Sequence, residues 1–224
     1  MCGILITSFF AKSYAQVNKS IDIFPINSAP FGKPYEEYVK NYWKLMLPIP
    51  IDKNPMEDKT GERCTFGQEM SGPVFYLPGN TGGSSSLTCK IRTGLAVFIP
   101  IMTEEASQAE VPKATISDLH KVAKNDQDHV TSLYLKINNI EFKDQDLRKF
   151  RTHTREFQVT FPNHALFGAA PGVSAVVADG YYVITKPLSE GNYNIIIKSS
   201  LACLKPDCVE PTFASDIKYN LIVA

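Results

Sequence analysis

Apolar residues recur with the period of a helix at one place and with the period of a strand nearly everywhere else. Tyr35, Tyr38, Val39, Tyr42, Trp43 and Met46 follow the i, i+3, i+4, i+7, i+8 spacing that aligns them on one helical face. Pro34 suits the first turn of that helix and Pro48 marks its stop. Glu36, Glu37, Lys40 and Lys44 fall on the other side, with Glu36–Lys40 and Lys40–Lys44 four residues apart. The aromatic stripe reads as core packing rather than as a platform for a flat ligand. A second, shorter helix is expected from Thr115 to about Lys124, opened by a stretch, Thr115-Ile-Ser-Asp118, that resembles a capping box.

The remaining apolar runs are short, alternating and rich in β-branched and aromatic residues. Val74–Leu77, Leu95–Ile101, Leu133–Ile137, Ile140–Phe142, Phe157–Phe161, Tyr181–Thr185, Tyr193–Lys198 and Ile217–Val223 are each bounded by turn residues or prolines. Short connections between such strands predict mostly antiparallel pairing, and two packed sheets are needed to bury their inner faces. The expected fold class is mainly β: an antiparallel β-sandwich, jelly-roll-like, with one or two short covering helices. Residues 16–33 read as an extended lead-in with an edge strand at Ile21–Phe24, and residues 34–224 as a single domain.

The N-terminus changes where this domain is expected to work. Gly3–Ala11 is a short apolar run, well under the roughly 20 residues that span a bilayer. Ser13-Tyr14-Ala15 then offers small residues at the positions a signal peptidase reads. Residues 1–15 are therefore expected to be a signal peptide, although no Lys or Arg precedes the apolar run. Of the five cysteines, Cys2 would leave with that segment. Cys64, Cys89, Cys203 and Cys208 remain, and an even set in an exported chain reads as two disulfides. Cys64–Cys89 and Cys203–Cys208 are the favoured pairs, because each brackets a local loop; a zinc site is the weaker reading. The predicted location is secreted or extracytoplasmic, in the periplasm or at the cell surface. With 23 basic and 23 acidic residues, the chain has no broad attraction for nucleic acid. No later segment is apolar enough for a transmembrane span.

No complete catalytic signature is present. The glycine-rich stretch Gly79–Ser86 lacks the Gly-Lys-Ser/Thr ending of a phosphate loop and leads into a strand, so it reads as a flexible loop. Ser174 lacks a nucleophile elbow, and Ser215 and Lys218 would point to opposite faces of a strand. His120, His129, His153 and His164 form no ligand motif, and the pairs Asp126/Asp128 and Asp144/Asp146 read as solvated turns. No metal and no cofactor are expected.

Three glutamates are the most suggestive group. Glu104, Glu105 and Glu110 follow the apolar strand that ends at Ile101, where sites are often built. They are candidate catalytic carboxyls, with Asp179 or Glu156 as a second acid. Arg151, His153 and Arg155 alternate, so they would share one side of a strand; Arg151 and His153 join the catalytic candidates, against the stronger reading of Arg151 as a structural ion pair. Tyr76, Tyr181 and Tyr182 with Asp179 are ligand-binding candidates, because alternation should turn Tyr181 or Tyr182 outward.

Several segments carry a resemblance. Asn54-Pro55, Asp58-Lys-Thr-Gly61 with Cys64, Pro73–Gly79 with Gly82-Gly83 and Cys89, and Phe98-Ile-Pro-Ile101 are similar to a family of exported prokaryotic β-sandwich-like proteins without an assigned activity. Asn163–Gly168, Ala178–Tyr182 and Lys186–Gly191 extend the likeness to about residues 30–223. It implies a shared fold and export and transfers no catalytic residue. Met102-Thr-Glu-Glu105 departs from the family pattern, which has an asparagine-containing segment and a cysteine there. The leading expectation is a non-enzymatic module that binds a carbohydrate or another cell-envelope component. The alternatives are a carboxylate-dependent hydrolase and a structural subunit of an envelope complex.

Overall fold

The computed structural model describes residues 21–69, 72–202 and 213–224. The expected signal peptide and the Cys203–Cys208 pair lie outside them. The elements run α1 (Tyr35–Met46), β1 (Val74–Tyr76), β2 (Gly83–Ile91), β3 (Ala96–Ser107), α2 (Ile116–Asp128), β4 (Val130–Ile137) and β5 (Ile140–Phe142). They continue with α3 (Asp144–Arg148), β6 (Arg151–His153), β7 (Phe157–Phe161), β8 (Gly172–Ile184), β9 (Gly191–Leu201) and β10 (Phe213–Val223).

The protein is mainly β, built on two five-stranded sheets. One is ordered β1-β3-β8-β6 with β7 also on β8, and the other β2-β10-β9-β4-β5. Both are mixed. β1 lies parallel to β3 and β2 parallel to β10, while every other pair is antiparallel. Pairing is mostly antiparallel, as expected, and the expected antiparallel sandwich is corrected at these two parallel places. β1 and β2 are edge strands that join their sheets from separate stretches of chain, not through hairpins, and short connections constrain direction only between hairpin partners. Side chains from both sheets and from α1 share one core.

The aromatic stripe of α1 is buried, as its periodicity predicts. Tyr42 stacks on Phe98 at 5.5 Å, and Phe98 meets Tyr182 at 5.3 Å. The tyrosine hydroxyls reach through this apolar layer to loop carbonyls outside the sheet ladders: Tyr35 donates to Phe24 O, Tyr42 to Pro78 O, and Tyr38 to Pro30 O, which also accepts from Lys33 N. The lead-in is held by Phe24 N donating to Ile184 O and by a single bridge at Ile23, so the expected edge strand is reduced to that bridge. Beyond α1, the buried Asn54 side chain donates to Met46 O and Ile49 O, which ends the helix and positions the next turn.

The Cys64–Cys89 disulfide forms as expected, with Cα atoms 5.7 Å apart. It ties the polar loop to β2, assisted by Thr88 N donating to Thr60 O. Asp58 organises that loop by accepting from Thr60 N, Thr60 Oγ1, Gly61 N and Arg63 N, which holds its carboxyl below the usual range despite burial. Gly61 has a positive φ, and a Cβ there would sit 2.2 Å from Thr88 O.

Candidate functional site

A long strand whose edge is left bare builds the site. β3 runs to Ser107, six residues past the expected end at Ile101, so Glu104 and Glu105 lie within the strand rather than after it. β1 pairs with β3 only over Ala96–Phe98. From Ile99 onward that edge of β3 has no neighbouring strand among the described residues. A bulge falls at Ile101, since Pro100 pairs with Tyr182 and Met102 with Tyr181. Pro100 suits such an edge because it has no N–H to satisfy, and a bulge re-aims the side chains beyond it.

A cavity of about 380 Å³ lies along this edge, at the lower end of the roughly 300–1,000 Å³ of small-molecule sites. Consecutive residues Pro100 to Glu105 all line it, which a strand can do only along its edge. Trp43 of α1, Gln127 at the end of α2, and Phe213 and Ser215 of β10 form further walls. Gly79, Asn80 and Thr81 close one side. That stretch is better fixed than its composition suggests: Asn80 accepts from Ser215 Oγ and Gly82 N, and Thr81 Oγ1 donates to Glu57 Oε1.

The three candidate glutamates come together here. Glu104, Glu105 and Glu110 line the cavity with Asp126, and among the described residues no Lys, Arg or His does. Glu105 is 5% exposed. Burial, with the neighbouring charges of Glu110 and Glu104, pushes its carboxyl well above the usual range. Burial, Asp126 and Glu110 raise the half-buried Glu104 to about 8. Glu110 is also raised by burial, but Ser107 offsets this: its N–H donates to Glu110 Oε2 at 3.1 Å and its Oγ at 2.6 Å.

Glu105 and Glu110 are within hydrogen-bonding reach of one another, yet two ionised carboxylates have no hydrogen to share. Neither Glu105 oxygen receives a donor from elsewhere in the fold. One proton resolves both facts. It resides on Glu105, which lacks donors, and is shared toward Glu110, whose charge Ser107 stabilises. The pair therefore titrates as a unit.

Two more buried polar atoms on the cavity wall lack a well-formed partner: Trp43 Nε1, a donor, and Gln127 Oε1, an acceptor. Trp43 lies beside the Tyr182 hydroxyl, which also makes no bond of good geometry. Trp43 is one of the aromatics that the sequence offers as a flat sugar-binding platform, against the stronger reading of core packing; for Gln127 composition and spacing give no such sign. Gln127 was missed because α2 was expected to end near Lys124, whereas Leu119, Ala123 and Gln127 continue one buried face at four-residue spacing. A glutamine on an apolar face is the signal that extending the period would have exposed.

The other candidates lie elsewhere. Arg151 is held by Asp179, with Nε and Nη2 at 2.9 and 2.8 Å from its carboxylate, and donates through Nη1 to Asp128 at 2.6 Å. Its guanidinium also covers the Tyr181 ring at 6.0 Å. This is the structural ion pair, and it engages Asp179 fully. His153, Arg155 and Glu156 are exposed and line no part of the cavity, and β6 ends before Arg155. Tyr181 and Tyr182 are both buried, at 3% and 0% exposure. The expectation that one faces outward is corrected, because α1 packs against β8 and α2 packs against β8 as well, so the strand has no solvent face. Tyr76 is half-buried against Phe98 and does not line the cavity. Asp126 and Asp128 belong to α2 and Asp144 and Asp146 to α3, not to the loops expected for them.

Among the described residues no group of three or more His, Cys, Asp or Glu is placed to hold a metal ion, and no helix is long and apolar enough to cross a membrane. No known protein family, curated protein or solved structure matches this chain.

Proposed function

We propose that the protein is an extracytoplasmic, non-enzymatic binding module that takes a sugar-sized unit of a carbohydrate or another cell-envelope component into the β3 cavity. One observation carries the reading: Trp43 Nε1 and Gln127 Oε1 make no well-formed hydrogen bond, the Glu105 carboxyl receives no donor from the fold, and all three buried residues line one cavity. A buried polar group left unsatisfied costs roughly 1–3 kcal/mol, so three in one cavity are best accounted for by a ligand that supplies the missing bonds. A donor, an acceptor and a carboxyl in a cavity also lined by the aromatic side chains of Trp43 and Phe213 suit a polyol, which offers hydroxyls at its rim and C–H groups on its face.

An extracytoplasmic location is supported by the Cys64–Cys89 disulfide, by the apolar run and small-residue site before Gln16, and by the likeness to exported proteins. The frame that positions the cavity is read as a jelly-roll-like sandwich of the two mixed sheets. Calorimetric titration with a panel of monosaccharides tests the function, using wild type and Thr103→Trp, which fills the cavity from its wall. Binding by wild type that is lost in the variant supports the reading. Binding that survives the filled cavity refutes it, as does the absence of binding to every sugar.

A second reading, a carboxylate-dependent hydrolase, is favoured by the Glu105–Glu110 pair alone, since a protonated and an ionised carboxyl side by side are the parts of acid–base catalysis. It requires turnover of a glycoside or ester that Glu110→Gln abolishes.

A further inference from the structure

The chemistry of the cavity wall restricts the ligand more narrowly than its size does. Four acidic side chains line the space and no basic one does, among the described residues. Cations on the adjoining α2 and β6 are engaged by other acids: Arg151 with Asp179 and Asp128, and Lys124 with Asp128. The groups that face the Glu105–Glu110 pair are Glu104 on the same strand, Asp126 from α2, and the Tyr182 hydroxyl from β8, with Asp179 opposite Glu104 in register. None of them supplies a positive charge.

We propose that the ligand carries an ammonium group, and that this group replaces the proton held between Glu105 and Glu110. The inference rests on the binding-module reading above and deepens it. The exchange balances: Glu105–COOH···⁻OOC–Glu110 with R–NH₃⁺ becomes two carboxylates bridged by R–NH₃⁺, and one proton leaves to solvent. The net charge of the cavity is unchanged, so an ammonium ion enters without adding an uncompensated buried charge. It also brings three donors to a carboxyl, on Glu105, whose two oxygens lack any. A neutral polyol can satisfy the same atoms but gains nothing from the excess of acid. An amino sugar and an aliphatic polyamine share this chemistry.

Isothermal titration with glucosamine, glucose and putrescine, in two buffers of different ionisation enthalpy, separates the outcomes. Glucosamine and glucose differ little in size, so the comparison isolates the charge. Glucosamine is expected to bind at least tenfold more tightly than glucose at pH 7, with about one proton released per ligand. Its affinity should rise with pH wherever the free pair holds its single proton, approaching tenfold per pH unit, the linkage slope for one released proton. Glu105→Gln, checked for its fold by circular dichroism, should lose both the preference and the slope.

Glucose binding as tightly as glucosamine, with no proton released, overturns the ammonium inference and leaves the sugar-binding reading standing. Putrescine binding with proton release while neither sugar binds upholds the ammonium inference and refutes the sugar. No binding of the three overturns it.

Discussion

Replacing Glu104 by Gln should stabilise the protein, and by an amount that depends on pH. Glu104 is raised from 4.5 to about 8, chiefly by burial, with Asp126 and Glu110 adding repulsion. Below pH 4.5 the carboxyl is protonated in both folded and unfolded chains and contributes no pH-dependent term. Between pH 4.5 and 8 the unfolded chain ionises while the folded one keeps its proton, so the unfolded state binds fewer protons and stability falls as pH rises. A tenfold change in protonation is worth about 1.4 kcal/mol, so the full cost by pH 8 is on the order of 5 kcal/mol, less as far as the half-buried carboxyl reaches water. Gln keeps the shape and removes the ionisation. Urea unfolding of wild type and Glu104→Gln at intervals from pH 4 to 8.5, without reductant, should give curves that nearly coincide at pH 4 and diverge steadily to several kcal/mol by pH 8. A difference that stays constant across the range would refute the reasoning, because it would mean that Glu104 ionises as easily in the fold as in the unfolded chain.

Four further outcomes follow from the same geometry. Cys64→Ser with Cys89→Ser opens a link of sequence separation 25 and should cost about 3 kcal/mol in denaturant unfolding, with dithiothreitol destabilising wild type but not the double variant. Asp58→Ala strands the donors of Thr60, Gly61 and Arg63 and should cost about 2–4 kcal/mol at pH 7; since the folded carboxyl is depressed, the penalty should shrink as pH falls through the carboxylate range. Arg151→Ala leaves the buried Asp179 unpaired and should cost about 3 kcal/mol by thermal or urea unfolding, while sugar titration stays unchanged because neither group lines the cavity. Gly180→Ala should be severely destabilising, with a lowered melting temperature, because its Cβ would lie 2.7 Å from Met102 O and 2.8 Å from the Tyr182 hydroxyl.

Those packing constraints explain what could be read from the chain alone. α1 was legible residue by residue, since a strong 3.6-residue period bounded by Pro34 and Pro48 leaves little choice. β7 matched the alternation of Phe157–Phe161, where one side of the strand is buried and the other exposed. β3 and β8 run longer than their periodicity predicts because both of their faces are covered, which removes the alternation: every residue of Val176–Ile184 is buried. The parallel edges of β1 and β2 depend on contacts remote in sequence and leave no local mark. Glu104, Glu105 and Glu110 stood out as acids beside an apolar strand, and that anomaly was informative. Their partners Trp43 and Gln127 come from two separate helices, and only the fold brings them to the bare edge of β3.

The most direct test of the account is a crystal structure of the wild-type protein soaked with the sugar or amine that binds it most tightly in solution. The account predicts the ligand along the β3 edge, hydrogen-bonded to Trp43 Nε1, Gln127 Oε1 and Glu105. A ligand seated on the outer surface, with those three groups untouched, would contradict it.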